Sequence, residues 1–161
     1  MVAILNALFD VQAQLMRDYG GQILKFIGDG LLAIFPIDAT ATATVAANHA
    51  MDAAREALAT VRGLGADPAM AGEPALEIVV ALHAGTVIYG NVGAADRLDF
   101  TVIGPAVNLV SRVENVAKAL DEPIVVTDDF ARAHGGALRS VGYHPLRGLA
   151  TARELFAPTT A

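Results

Sequence analysis

Residues 19–35 read YGGQILKFIGDGLLAIF, which is two apolar runs on either side of a Gly-Asp-Gly tripeptide at 28–30. Apolar runs of this length around a tight glycine-containing turn are typical of a β-hairpin. The sequence therefore predicts strands over residues 22–27 and 31–35, with Asp29 at the tip of the hairpin. An ordinary hairpin turn is a sufficient explanation of the tripeptide when it is taken alone.

Helices and strands are predicted to alternate along the rest of the chain. The helices follow apolar residues at spacings of three and four, and the strands are short apolar runs bounded by turn-forming residues. The order favours an α+β fold with helices on one face of a sheet. A strand before the first helix would complete a ferredoxin-like βαββαβ core. The predicted elements are helices over 2–18, 38–62 and 105–120, a loop over 63–74, a helical turn over 128–133, and strands over 76–82, 86–89, 98–103 and 124–126 and from Leu138 and from Glu154.

Composition indicates one folded domain over residues 1–161, because 54% of the residues are hydrophobic and 17% are charged. The net charge of −6 argues against nucleic acid as a partner, since it would repel a phosphate backbone. There is no cysteine, so disulfides, thiolate metal sites and thiol nucleophiles are excluded. No segment stays apolar for the roughly 20 residues that a membrane-spanning helix needs. We expect a cytoplasmic domain with no membrane contact from this segment.

Two pairs of polar residues have a spacing that can serve a common ligand. Lys25 and Asp29 are four apart along a predicted strand, so their side chains share one side if the strand stays regular. Asn108 and Arg112 are four apart on a predicted helix and therefore share one face, although many such pairs are only solvated surface. Glu114 is two residues from Arg112 on the predicted helix and does not face it. An ion pair with Glu114 therefore does not explain why an arginine stands at position 112.

The histidines give no sign of a metal or hydrolase site. His83 follows a predicted strand and is best interpreted as a core or strand-end histidine. His49, His134 and His144 have no ligand spacing with one another. No Ser-His-acid or HExxH arrangement is present, so hydrolase motifs are absent.

Three segments, which follow one another in the order found in the family, resemble the catalytic domain of class III adenylate and guanylate cyclases. Residues 19–35 resemble the metal-carrying hairpin of that family. Residues 82–93, LHAGTVIYGNVG, resemble its central strand, and residues 97–114, RLDFTVIGPAVNLVSRVE, resemble the segment that contacts the base and the transition state. The resemblance runs over nearly the whole chain and implies a ferredoxin-like nucleotide cyclase fold.

The resemblance implies a homodimer with active sites shared between two subunits and two divalent ions, Mg²⁺ or Mn²⁺, in each complete site. Asp29 takes the place of the second metal-binding aspartate. Asn108 would orient the ribose, and Arg112 would stabilise charge that grows on the phosphate. The implied reaction is attack of the ribose 3′-hydroxyl on the α-phosphate, which releases pyrophosphate and leaves a 3′,5′-cyclic monophosphate.

Lys25 and Thr101 fall on the positions at which the family selects the base. Adenine offers an acceptor at N1 and a donor amino group at N6, which match a lysine donor and a threonine acceptor. Guanine presents the reverse pattern and would set an N–H against the Lys25 ammonium, so ATP is expected over GTP. Arg147 lies where the family often has a phosphate-binding lysine, and its alternative is a plain surface arginine.

The chain departs from the family at its start. The family carries its other metal-binding aspartate on a strand before the first helix, and no segment here matches that strand. We therefore expect a cyclase fold that lacks its first strand, weak or absent activity of the chain by itself, and an upstream sensor or regulatory domain. Two alternatives stay open: a non-catalytic cyclase-like module for nucleotide binding or dimerisation, and a guanylate cyclase.

Overall fold

The computed structural model describes residues 2–66, 72, 75–94 and 97–159, and only the main chain within 2–5, 7, 92–94 and 97–101. Helices and strands follow one another through these ranges much as predicted, with differences mainly at their ends. The helices are α1 (Val2–Asp18), α2 (Ala43–Gly65), α3 (Pro105–Leu120) and α4 (Asp128–Ala133). The strands are β1 (Gln22–Ile27), β2 (Gly30–Ile34), β3 (Val80–Leu82), β4 (Ile88–Ala94), β5 (Arg97–Ile103), β6 (Ile124–Thr127), β7 (Leu138–His144) and β8 (Arg153–Pro158).

The described strands form one four-stranded sheet and two hairpins. The order in the large sheet is β3-β6-β8-β7, with β3 and β6 parallel and the other neighbours antiparallel. The strands β1 and β2 pair only with each other, and so do β4 and β5. The predicted hairpin at residues 22–35 is therefore confirmed.

Helices cover both faces of the four-stranded sheet. All four residues of β6 are buried, and the side chains of its first three residues alternate between two apolar clusters. Ile124 and Val126 pack with Met51 of α2, whereas Val125 packs with Val113 of α3. The expectation of helices on one face is therefore wrong. The reason is that a strand buried on both sides is apolar throughout, and its pattern does not show which helix lies on which side.

The helix α2 starts later than predicted, at Ala43 instead of residue 38. The Asp38 carboxylate accepts hydrogen bonds from the main-chain nitrogens of Thr40 and Ala41, which holds this segment in a turn. The Thr42 hydroxyl then caps the helix by accepting a hydrogen bond from the Val45 nitrogen. Side-chain capping thus decides the helix boundary.

The stretch between α2 and β3 differs from its prediction as far as it is described. The helix continues through Gly65 into the predicted loop, and residues 67–71 and 73–74 of that loop lie outside the described residues. The strand predicted over 76–82 is shortened to the three residues of β3, which pair with β6. The longest described helix, α2, carries charged residues, and none of the described helices combines the length and apolarity that crossing a bilayer requires.

Candidate functional site

The loop between β7 and β8 contains a tight turn that presents an arginine. The Leu149 nitrogen donates a hydrogen bond to the Leu146 oxygen over 3.0 Å. Gly148 has φ of +84°, whereas Arg147 has no positive φ. This pattern is that of a type II turn, in which the third residue must tolerate positive φ and is usually glycine. Arg147 occupies the second position of the turn and is exposed.

The turn is fastened to the helix α3 by a buried leucine. Leu146 is only 4% exposed and belongs to the same apolar cluster as Leu109 and Val113 of α3. Val125 of β6 and Leu155 of β8 belong to the same cluster. The turn, the helix and the sheet therefore share one core, which fixes the position of the turn on the helix.

The structure brings Arg112 to this turn. Its side chain is partly buried, and a Cβ atom added to Gly148 would lie 3.0 Å from Nη1 of Arg112. Asn108 is exposed one helical turn before Arg112, as the spacing predicted. Asn108, Arg112 and the turn that carries Arg147 therefore meet in one region.

The guanidinium of Arg112 is not neutralised by the nearest acidic residue of its helix. The Glu114 carboxylate pairs with Lys118 at 2.6 Å, as expected for residues four apart. Within the part of the chain that the structure describes, no ion pair includes Arg112 or Arg147. These two cations are therefore suited to an anionic ligand.

Lys25 and Asp29 are both exposed on the hairpin, Lys25 on β1 and Asp29 in the turn. The pairing of Ile27 with Gly30 leaves a two-residue turn that consists of Gly28, with φ of +60°, and Asp29. The strand therefore ends before Asp29, and it also carries an irregularity between Ile23 and Lys25. The condition of a regular strand from Lys25 to Asp29 is not met, so strand alternation does not decide whether their side chains share a side.

The Asp29 carboxylate lies within electrostatic reach of Lys118, near the end of α3. The pKa of Lys118 is raised, first by its hydrogen bond to Glu114 and also by the negative charge of Asp29. Lys118 lies roughly 80–120° around the helix axis from Asn108 and Arg112 at 3.6 residues per turn. Lys118 thus lies on a different side of α3 from Asn108 and Arg112.

Thr101 lies on a strand next to the hairpin. Its main chain pairs with Gly90 in the β4–β5 hairpin, while its side chain lies outside the described residues. The strand β1 contacts β5, and the Tyr89 hydroxyl donates a hydrogen bond to Oε1 of Gln22 over 2.9 Å. Lys25 and Thr101 therefore belong to neighbouring hairpins.

The donors around Asp29 do not complete a metal site. Among the described residues, no group of three or more His, Asp and Glu side chains is placed to hold an ion. Asp29 can supply one carboxylate ligand, but two divalent ions need more oxygen donors than this. His83 is engaged elsewhere, since its Nδ1 is hydrogen-bonded with the Thr127 hydroxyl at 2.9 Å and burial lowers its pKa. The interpretation of His83 as a strand-end histidine is confirmed.

A surface cleft of about 420 Å³ lies away from the predicted site residues. It is lined by α4 and the start of β8, where Arg153 forms ion pairs with Asp128 and Asp129. These charges satisfy one another, and none of the predicted site residues lines the cleft. The cleft is therefore the surface of a structural ion-pair cluster and is not the candidate site.

Sequence reasoning missed Leu146 and Gly148, the residues that join the turn to Arg112. A signal for them was present in the sequence. An Arg-Gly pair fits the second and third positions of a type II turn, and an apolar residue just before it provides an anchor. The pattern does not reveal which helix receives the anchor.

Comparison with known proteins gives a consistent match. Residues 1–139 match the profile of the family described as "Adenylate and Guanylate cyclase catalytic domain". An adenylate cyclase of Anabaena cylindrica is 31% identical over 131 residues, which are 80% of this chain and 25% of that relative, so the chain spans about a quarter of its length.

Solved structures of cyclases share the fold. The crystal structure of the adenylyl cyclase CyaB from P. aeruginosa aligns with a TM-score of 0.87 at 24% identity, over 99% of this chain and 82% of the other. That of the guanylyl cyclase Cya2 aligns with a TM-score of 0.80 at 25% identity, over 96% of this chain and 78% of the other. The predicted α+β nucleotide cyclase fold is confirmed.

The anchoring of the turn can be tested with its two leucines. We expect Leu146→Ala to lower the free energy of unfolding by about 2–5 kcal/mol, because it leaves a cavity in the cluster beneath α3. The matched control is Leu149→Ala in the same turn, where the side chain is 38% exposed and the expected change is within about 1 kcal/mol. Urea unfolding at fixed pH measures both, and equal losses for the two variants would contradict the anchoring.

Proposed function

The chain belongs to the adenylate and guanylate cyclase catalytic domain family, and from this membership we propose that it is the catalytic domain of an adenylate cyclase. It would convert ATP to 3′,5′-cyclic AMP and pyrophosphate. The observation that carries the proposal is the Arg112 guanidinium, which rests on the Arg147–Gly148 turn with no described carboxylate partner. Such a cation, held next to a turn that carries a second arginine, is suited to a polyphosphate.

In the proposed reaction, the ribose 3′-oxygen forms a bond to the α-phosphorus while the bond from that phosphorus to pyrophosphate breaks. Negative charge grows on the phosphoryl oxygens and on the leaving group. Arg112 would stabilise this charge, and Arg147 would hold the leaving polyphosphate. Asn108, one turn before Arg112 on α3, would orient the ribose by hydrogen bonds from its amide.

Lys25 and Thr101 would select adenine. The Lys25 ammonium is exposed on β1 and would donate to N1 of adenine. The Thr101 hydroxyl, on the neighbouring strand β5, would accept from the N6 amino group. Support comes from the contact between β1 and β5, which puts the main chains of these two positions on adjacent hairpins.

We propose that two copies of the chain complete the site. In this arrangement a nucleotide held by Asn108 and Arg112 of one copy would meet Asp29 of the other. Large apolar side chains on β1, β4 and β5 are at least 46% exposed and would be covered by such a homodimer. They are Phe26, Ile27, Ile88, Tyr89 and Ile103.

The proposed cofactor is Mg²⁺ or Mn²⁺, two ions in each complete site, with Asp29 as one ligand. The described residues do not complete such a site, so we propose that a second carboxylate lies outside them. Divalent ions neutralise triphosphate charge and polarise phosphoryl oxygens when they are bound. The roles assigned to Asn108, Arg112 and Arg147 use no geometry at the ions.

A regulatory arrangement is part of the proposal. The match covers only a quarter of the length of the adenylate cyclase of Anabaena cylindrica. By analogy we propose that this domain is the output module of a longer signalling protein, controlled by a sensor or regulatory domain, in the cytoplasm where ATP is available.

Two other functions have specific support. The incomplete donor set around Asp29 favours a non-catalytic nucleotide-binding or dimerisation module, and the likeness to a guanylyl cyclase structure favours GTP.

Cyclase activity is tested by cyclic AMP formation from ATP with Mn²⁺ or Mg²⁺. The chain is assayed as it stands and with any residues that its gene encodes in frame before Met1. We expect Arg112→Ala to lower kcat on the order of 10²–10³-fold, because it removes a charge that acts on the transition state. The matched control is Arg62→Ala, an exposed arginine of α2, which should leave kcat unchanged. Tight ATP binding with no more product than an Asp29→Ala variant forms would instead favour the non-catalytic module.

Base selection is tested by exchanging the two proposed selector residues together. Lys25→Glu with Thr101→Cys should shift the ratio of kcat/KM for ATP and GTP toward GTP, because an acceptor then faces the guanine N1–H. The assay compares both nucleotides in the parent and in the double variant. An unchanged ratio would show that these positions do not read the base.

A further inference from the structure

Gly148 is the point at which the β7–β8 turn meets the Arg112 side chain. A Cβ atom at this position would lie 3.0 Å from Nη1 of Arg112 and 3.6 Å from its Cζ and Nη2 atoms. The shortest of these distances is tighter than ordinary van der Waals contact, so one of the two groups would have to move. A Cβ atom at 148 therefore requires a shift of a few tenths of an ångström between the two groups.

The guanidinium is the group that would move. Leu146 is buried against Leu109 and Val113, so the turn and the helix are both held by a shared core. The guanidinium ends a long flexible side chain, which can rotate away at small cost. A side chain at 148 would therefore displace the Arg112 charge while leaving the fold intact.

The conformation of Gly148 gives a second, independent reason for glycine. Its φ of +84° is disfavoured for most residues whatever lies nearby. Asparagine tolerates positive φ and is accepted at the third position of a type II turn. An asparagine at 148 consequently separates the two reasons, because it suits the turn but still brings a Cβ atom toward Arg112.

We infer that Gly148 is a positioning residue, whose bare main chain sets the place of the Arg112 guanidinium relative to the phosphate being transferred. This inference rests on the proposed cyclase function. Gly148 touches neither nucleotide nor reacting atoms in this account and acts only through Arg112. The Arg147–Gly148 pair would thus have two roles: Arg147 binds phosphate, and Gly148 positions Arg112.

The chain offers a matched control for a Gly148→Asn variant. Gly20 has φ of +81°, and a Cβ atom there would have no other atom within 4 Å. It lies two residues after the end of α1, where asparagine is also tolerated. Gly20→Asn therefore introduces the same side chain at nearly the same φ without contact to Arg112. Urea unfolding should give similar free energies for the two variants.

Turnover of ATP distinguishes positioning from a structural role. We expect Gly148→Asn to lower kcat on the order of tenfold to a hundredfold with little change in KM, because a small displacement of a catalytic group is enough to cost this much. Gly20→Asn should keep the parent kcat. In an Arg112→Ala background, Gly148→Asn should have no further effect on kcat, since it acts only through the missing guanidinium. Equal kcat for the two asparagine variants, or a loss that persists in the Arg112→Ala background, overturns the inference.

A spectroscopic readout keeps the inference separate from the proposed function. The Nε–Hε signal of Arg112, assigned by its loss in Arg112→Lys, reports the surroundings of the guanidinium by NMR without any turnover. It should shift in Gly148→Asn and stay in place in Gly20→Asn. If neither the chain nor the chain extended by its in-frame upstream residues forms cyclic AMP, the proposed function fails, and this signal still decides whether Gly148 places Arg112. An unmoved signal in Gly148→Asn overturns the inference.

Discussion

The burial of Leu146 under α3 is the contact on which the candidate site depends. It joins a surface turn to the apolar cluster of Leu109 and Val113, which also reaches the four-stranded sheet through Val125. A loop between two strands is ordinarily among the more variable parts of a domain. Here one buried side chain gives it a fixed position, and Arg112 lies against it as a consequence.

This packing places positive charge at the candidate site. The chain carries a net charge of −6, yet the Arg112 guanidinium lies beside the turn that carries Arg147, and none of the described ion pairs involves either arginine. Glu114, which could have neutralised Arg112 at another spacing, is committed to Lys118 instead. A locally positive surface on an acidic chain favours a polyanionic small molecule over nucleic acid, which the net charge repels. The proposed substrate, a nucleoside triphosphate, is such a molecule.

Local patterns predicted the hairpin and the helix that carries Asn108 and Arg112, because glycine punctuation and apolar periodicity determine both. The predicted start of α2 at residue 38 was wrong, because the Asp38 side chain accepts hydrogen bonds from main-chain nitrogens that the first turn of the predicted helix would contain. The assignment of helices to one face was wrong because a short apolar strand buried on both sides does not encode its neighbours.

The contact between Gly148 and Arg112 joins residues 36 positions apart in sequence, so no local pattern could predict it. The roles of Lys25, Thr101, Asn108, Arg112 and Arg147 stay predictions, because their placement on elements does not by itself assign chemistry.

The sharing of one active site between two copies of the chain is the central claim, and complementation tests it most directly. Asp29→Ala and Arg112→Ala are purified separately, mixed, allowed to exchange subunits and assayed for cyclic AMP. If each site takes Asp29 from one copy and Arg112 from the other, half of the dimers carry one intact site, and the mixture recovers about a quarter of the parent activity. A mixture no more active than the two variants apart would contradict the account.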